Sequence, residues 1–233
     1  MMKKEIAAVL FDMDGVIMDS MPYHVLAWQE VLQEFGYQVS AQAILEHEGG
    51  FTTEKWLKQF VDRPDPGAFS QQDYVFASHI MRQMGLRQIE IFLPKYSRLV
   101  RPYSGVDRLL QVLQARGIPA ALVTSSSRRI VEQILPLPIM ESFRAIVASE
   151  DVILRKPNPD PYLQAAYKLE VKPSECLVVE NSPYGIIAGL AAGATCVGIS
   201  STLPKNYLDQ AHYCFSSMEE LEKKFLANQI LLH

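Results

Sequence analysis

The chain has 233 residues, 48% hydrophobic and 21% charged, enough for one large core, or a core with a smaller companion, without disulfide staples. A net charge of −4 gives no electrostatic reason to expect nucleic acid or an anionic membrane surface as partner. Three cysteines form no C-x-x-C pair and no apolar run approaches the ~20 residues of a membrane helix, which argues against a disulfide scaffold and a helical membrane protein.

Met1-Met2-Lys3-Lys4-Glu5 leads straight into the apolar run Ile6-Ala7-Ala8-Val9-Leu10-Phe11. That start leaves no room for a signal peptide and, with the cysteine usage, implies a cytoplasmic protein. The run reads as a strand buried on both faces of a parallel sheet. It ends in Asp12-Met13-Asp14-Gly15, at the carboxyl end where an open α/β sheet forms its ligand crevice. Two carboxylates so close repel, and the pair wants a cation or a shared proton.

Asp19-Ser20-Met21-Pro22 then reads as a helix start with Ser20 as cap. Apolar residues follow at helical spacing from Val25 to Phe35, and Gly36 ends the helix. The helical pattern continues to about Met84, broken by the turn Pro64-Asp65-Pro66-Gly67, with no strand-like alternation. An all-helical insertion, residues 18–87, is therefore expected after the first strand, with residues 1–17 and 88–233 forming the core. Arg82 and Arg87 within it read as solvated helix positions.

Past Pro102 helix and strand alternate. Strands are expected at Pro119–Val123, Ala145–Val147, Cys176–Val179 and Thr195–Ile199, with Tyr213–Phe215 as an edge strand. Asp160-Pro161 looks like a cap followed by a first-turn proline. The alternation argues for an α/β fold, a doubly wound parallel sheet of the Rossmann-like kind.

Parallel strands all end on one side, so Asp12 and Asp14, Thr124-Ser125-Ser126, Lys156 and Glu180-Asn181 are expected to converge on one crevice. Three carboxylates against one lysine suit Mg²⁺, which takes hard oxygen ligands and leaves room for substrate phosphate. The lysine and the hydroxyls could hold the phosphate's remaining oxygens. One aspartate could accept the phosphoryl group, and the second could serve as acid and base.

These segments together resemble the haloacid dehalogenase superfamily, in the branch that includes β-phosphoglucomutases and many sugar-phosphate phosphatases. The resemblance rests on Asp12-Met13-Asp14-Gly15-Val16-Ile17, Thr124-Ser125-Ser126, Lys156-Pro157-Asn158-Pro159-Asp160 and Val178-Val179-Glu180-Asn181-Ser182-Pro183-Tyr184-Gly185, in that order. It implies Asp12 as nucleophile, Asp14 as acid/base, and Thr124 and Lys156 as phosphate ligands, with Ser125 and Ser126 beside them. It further implies Mg²⁺ on Asp12, the Asp14 carbonyl, and Glu180 or Asn181, and a mobile cap formed by the helical insertion. His24 would orient Asp14 or the leaving group.

One residue departs from the pattern: the family usually has aspartate where Asn181 stands. An asparagine ligates through its carbonyl oxygen but removes a negative charge, worth about 4 kcal/mol against the ion at 4 Å and an effective dielectric of about 20. Glu48, in the turn His47-Glu48-Gly49, is the candidate that compensates by reaching the substrate and metal when the cap closes. The expected activity is a Mg²⁺-dependent phosphohydrolase acting on a small phosphorylated metabolite. Pyrophosphate hydrolysis and hexose-phosphate mutation stand as alternatives within enzymes, and a phosphate-sensing binding protein outside them. A monomer is expected.

Overall fold

The computed structural model describes residues 6–47 and 71–227. Six strands, β1 (Ala8–Phe11), β2 (Ala120–Val123), β3 (Ala145–Val147), β4 (Cys176–Glu180), β5 (Thr195–Ile199) and β6 (Tyr213–Phe215), form one sheet in the order β3-β2-β1-β4-β5-β6. Every neighbouring pair is parallel. The chain builds outward from β1 to one edge and then returns to build the other half from β4. That reversal places the switch point of the sheet at β1, where such folds bind ligands.

Both faces of the sheet are buried, as the unbroken apolar strands require. Val9 and Phe11 of β1, with Leu177 and Val179 of β4, join one core cluster, and Ala8, Leu10, Cys176 and Val178 join the other. Full burial of one such side chain as Phe11 stabilises by about 1.5–3 kcal/mol. The second cluster is closed by α7 (Asp160–Lys168) and α8 (Pro183–Ala191), and the first by α4 (Val106–Ala115), α5 (Arg128–Ile134), α6 (Leu137–Met140) and α9 (Met218–Leu226).

Among its described residues the insertion between β1 and β2 is built from three helices joined by short loops: α1 (Met21–Glu34), α2 (Ala41–His47) and α3 (Gln71–Tyr96). Arg87 ties α3 to α1 by two 2.8 Å bonds to Glu34, and Tyr96 Oη donates to Glu30 at 2.6 Å. The helix α3 runs unbroken through residue 87, where the sequence pattern sets the edge of the insertion. No helix among the described residues is long and apolar enough to cross a membrane.

Two capping expectations change. Ser20 occupies the cap position of α1 but makes no capping bond, because its hydroxyl is drawn to Asp14 instead. The helix α7 begins on Asp160 itself, with Pro159 before it, so Asp160 lies in the first turn, where an acidic side chain favours the helix dipole.

Candidate active site

The carboxyl end of β1 delivers Asp12 into a buried ionic cluster. Lys156, from the loop before α7, donates to Asp12 Oδ1 at 2.6 Å, to Glu180 Oε1 at 2.7 Å and to the carbonyl of Val123 at 3.1 Å. Asp12 is 7% exposed, Lys156 4% and Glu180 not at all. Charges so removed from water persist only when paired and hydrogen-bonded. Glu180 meets that condition fully. Oε1 also accepts from Tyr162 Oη at 2.9 Å, and Oε2 accepts from the amides of Asn181 and Ser182 and from Ser182 Oγ at 2.9–3.1 Å. Ser182 in turn caps α8 by accepting from the Gly185 amide, and a side chain at Gly185 would overlap the Glu180 carboxylate.

The electrostatics of the trio are unequal. Burial works against the Lys156 charge, but Asp12 and Glu180 outweigh it and hold the ammonium above its ordinary range. Burial pushes the Asp12 carboxyl well up; Lys156 opposes this, while Glu180 and Asp14 add to it. One ammonium is too little positive charge for the carboxylates gathered here.

Asp14 is held on both oxygens. Ser20 Oγ donates to Oδ1 at 2.5 Å, and His24 Nε2 lies 3.1 Å from the same atom. Ser126 Oγ donates to Oδ2 at 2.7 Å and Thr124 Oγ1 at 3.3 Å. Burial alone would push this carboxyl up, but the His24 ring and the Ser20 and Ser126 hydroxyls bring it down to about 2. His24 is itself fixed from α3. Gln88 Nε2 sits 2.9 Å from His24 Nδ1, and the Phe92 ring stacks flat on the imidazole with centroids 4.1 Å apart. An amide nitrogen donates, so Nδ1 accepts and Nε2 carries the proton directed at Asp14.

Asn181 lies against the turn that follows Asp14. Gly15 has φ +85°, a left-handed conformation that favours glycine, and a side-chain carbon there would overlap the Asn181 amide and the Thr202 hydroxyl. Asn181 Nδ2 donates to Thr202 Oγ1 at 2.7 Å. Among the described residues, no group of three or more His, Cys, Asp or Glu side chains is arranged to hold a metal. The oxygens without a hydrogen-bond donor among the described residues include Asp12 Oδ2 and the Asp14 carbonyl, with Asn181 beside them. Few protein oxygens with open positions is the donor set that suits Mg²⁺, which keeps several waters and takes substrate phosphate. The surplus of buried negative charge at Asp12 fits a divalent cation as well.

The structure thus brings Asp12, Asp14, Thr124, Ser126, Lys156, Glu180, Asn181 and His24 together, with Ser125 half-buried in the same turn as Thr124. Glu180 has both oxygens engaged by protein donors, so its present role is to anchor Lys156. Glu48 lies outside the described residues. Arg87 is engaged by Glu34 and Glu90, as a solvated helix position would be. Four residues of the site escaped the sequence reading: Ser20, Gln88, Tyr162 and Thr202. Gln88 left a trace, as a polar residue on the buried stripe that includes Met84, Ile91 and Phe92.

The sequence profile of haloacid dehalogenase-like hydrolases matches residues 9–199. A fructose-1-phosphate phosphatase of Escherichia coli is 32% identical over 85% of this chain and 98% of its own length. A β-phosphoglucomutase of Bacillus subtilis is 30% identical over 84% of each chain. The structure of a β-phosphoglucomutase from Clostridium difficile superposes with a TM-score of 0.74, covering 96% of each chain at 21% identity, which speaks for the fold alone.

Proposed function

The chain belongs to the haloacid dehalogenase-like hydrolases, and from that premise we infer that it is a Mg²⁺-dependent phosphatase of small sugar phosphates working through an aspartyl-phosphate. The observation that carries the reading is the buried contact of Lys156 with both Asp12 and Glu180, which holds an ammonium at the end of β1 where a phosphate would meet Asp12. The named relatives support the substrate class: a fructose-1-phosphate phosphatase and a β-phosphoglucomutase both act on small sugar phosphates. Cys176, Cys196 and Cys214 form no disulfide, which suits a reducing cytoplasm.

Asp12 is the nucleophile: one carboxylate oxygen bonds to phosphorus as the ester P–O bond breaks, while the other stays with the cationic groups that hold it. Asp14, an anion in the free site, takes up the proton of the entering phosphate monoanion, gives it to the departing sugar oxygen, and then takes one from the water that attacks phosphorus and breaks the Asp12–phosphorus linkage. His24, Ser20 and Ser126 hold Asp14 for both steps. The Thr124 hydroxyl, at 3.3 Å the longest contact of Asp14, and the Lys156 ammonium, released from the Val123 carbonyl at 3.1 Å, would turn to the phosphate oxygens. Asp12, the Asp14 carbonyl and Asn181 would hold Mg²⁺, which supplies positive charge to the transferring phosphoryl group. The helical insertion acts as the cap that excludes bulk water.

The test is phosphate release from fructose 1-phosphate, β-glucose 1-phosphate and pyrophosphate, with Mg²⁺ or with EDTA, by wild type and Asp12→Asn. The reading expects release from a sugar phosphate that needs both Mg²⁺ and Asp12. Release from pyrophosphate alone, or conversion of β-glucose 1-phosphate to its 6-phosphate isomer without free phosphate, would replace it.

A further inference from the structure

Ser201 and Thr202, in the loop after β5, take no part in the chemistry above, yet they bind the site from its metal side. Ser201 Oγ donates to the Gly15 carbonyl. Thr202 Oγ1 lies 3.3 Å from Ser201 Oγ and 2.7 Å from Asn181 Nδ2. A hydroxyl carries one proton. That of Ser201 is committed to the Gly15 carbonyl, so Ser201 can only accept from Thr202. The Thr202 proton then goes to Ser201, and Thr202 Oγ1 faces residue 181 as an acceptor.

An acceptor in that place attracts an amide N–H and repels an oxygen. Asn181 therefore turns its NH₂ to Thr202 and keeps Oδ1 for the crevice. The point matters for an asparagine and not for an aspartate. The two ends of the amide are nearly the same size, and the nitrogen end presented to a divalent cation would repel it. A carboxylate has oxygen at both ends and needs no such instruction.

We propose that Thr202 is a positioning residue for the metal site: the directed chain Asn181–Thr202–Ser201–Gly15 carbonyl makes a neutral amide a reliable oxygen ligand. This rests on the reading of Asn181 as a ligand. It also explains why Gly15 admits no side chain, since one would displace both partners of the central bond.

The test is direct Mg²⁺ titration by calorimetry, without substrate or turnover. Thr202→Val should weaken binding roughly ten- to hundredfold, the usual cost of losing a group that orients a ligand. Thr202→Ser, which keeps the hydroxyl, should bind as the wild type does, and Thr202→Ala repeats the loss should the valine variant not fold. In an Asn181→Asp background the Thr202→Val change should cost little, because either carboxylate oxygen serves. Wild-type affinity in Thr202→Val, or an equal loss in both backgrounds, would overturn the proposal. If Asn181→Ala also binds Mg²⁺ as tightly as wild type, the assignment of Asn181 as a ligand fails instead, and the proposal with it.

Discussion

Lys156 Nζ lies 2.6 Å from Asp12 Oδ1 although 144 residues separate them along the chain. The ammonium is buried, and the same nitrogen spans to Glu180, so three charges share one pocket almost closed to water. Removing the cation would leave two carboxylates facing each other. Lys156→Met should therefore cost about 3–5 kcal/mol of stability, the range for breaking a buried pair from one side. Denaturant unfolding checks this, and a loss under about 1 kcal/mol would mean that the pair is far better solvated than its burial implies.

Tyr162 holds the other end of the cluster. Its hydroxyl donates to Glu180 Oε1, and its ring lies 5.1 Å below the Lys156 ammonium. Tyr162→Phe keeps the ring and removes the donor, so stability should fall by about 1.5–3 kcal/mol, the worth of a hydrogen bond to a charged group. Comparison of unfolding midpoints at fixed Mg²⁺ measures it.

Gln88 sets the tautomer of His24. In Gln88→Leu, Nδ1 loses its donor and the ring can carry its proton on the wrong side, leaving an acceptor against Asp14. The turnover number should drop about tenfold, equal to roughly 1.4 kcal/mol, with KM little changed. Nitrogen-15 NMR of His24 should show the proton on Nε2 in wild type and a mixture in the variant. Unchanged ring signals would refute the assignment.

A seam joins the insertion to the core away from the catalytic groups. Tyr207, in the turn Lys205–Leu208, donates to Glu46 of α2 at 2.8 Å. Tyr207→Phe should loosen the cap without touching the chemistry, so KM should rise while the single-turnover rate holds. A fall in the single-turnover rate instead would place the seam within the catalytic assembly.

How much of this could be read from the chain follows from which signals are local. The apolar run ending in Asp12 and Asp14 announces a buried strand and its exposed end, because both faces of β1 are covered and no alternation survives. Lys156 and Glu180 were legible from their motifs, yet Glu180's role was not. Its position on the strand says nothing of the five donors that surround it. Ser20 looked like a cap since serine before Met-Pro is a good one, but a buried carboxylate nearby is a stronger partner for a hydroxyl than a helix amide. Thr202 had no periodicity to betray it. Its meaning comes from Asn181, twenty-one residues away, across the gap between β4 and β5.

Covalent transfer of the phosphoryl group to Asp12 is the step on which every other role depends. Rapid acid quench of the Mg²⁺-loaded enzyme with a sugar phosphate, followed by peptide mass spectrometry, should find one phosphoryl group on the peptide bearing Asp12, formed and lost within a single turnover. Phosphate released at full rate with no label ever passing through Asp12 would contradict it.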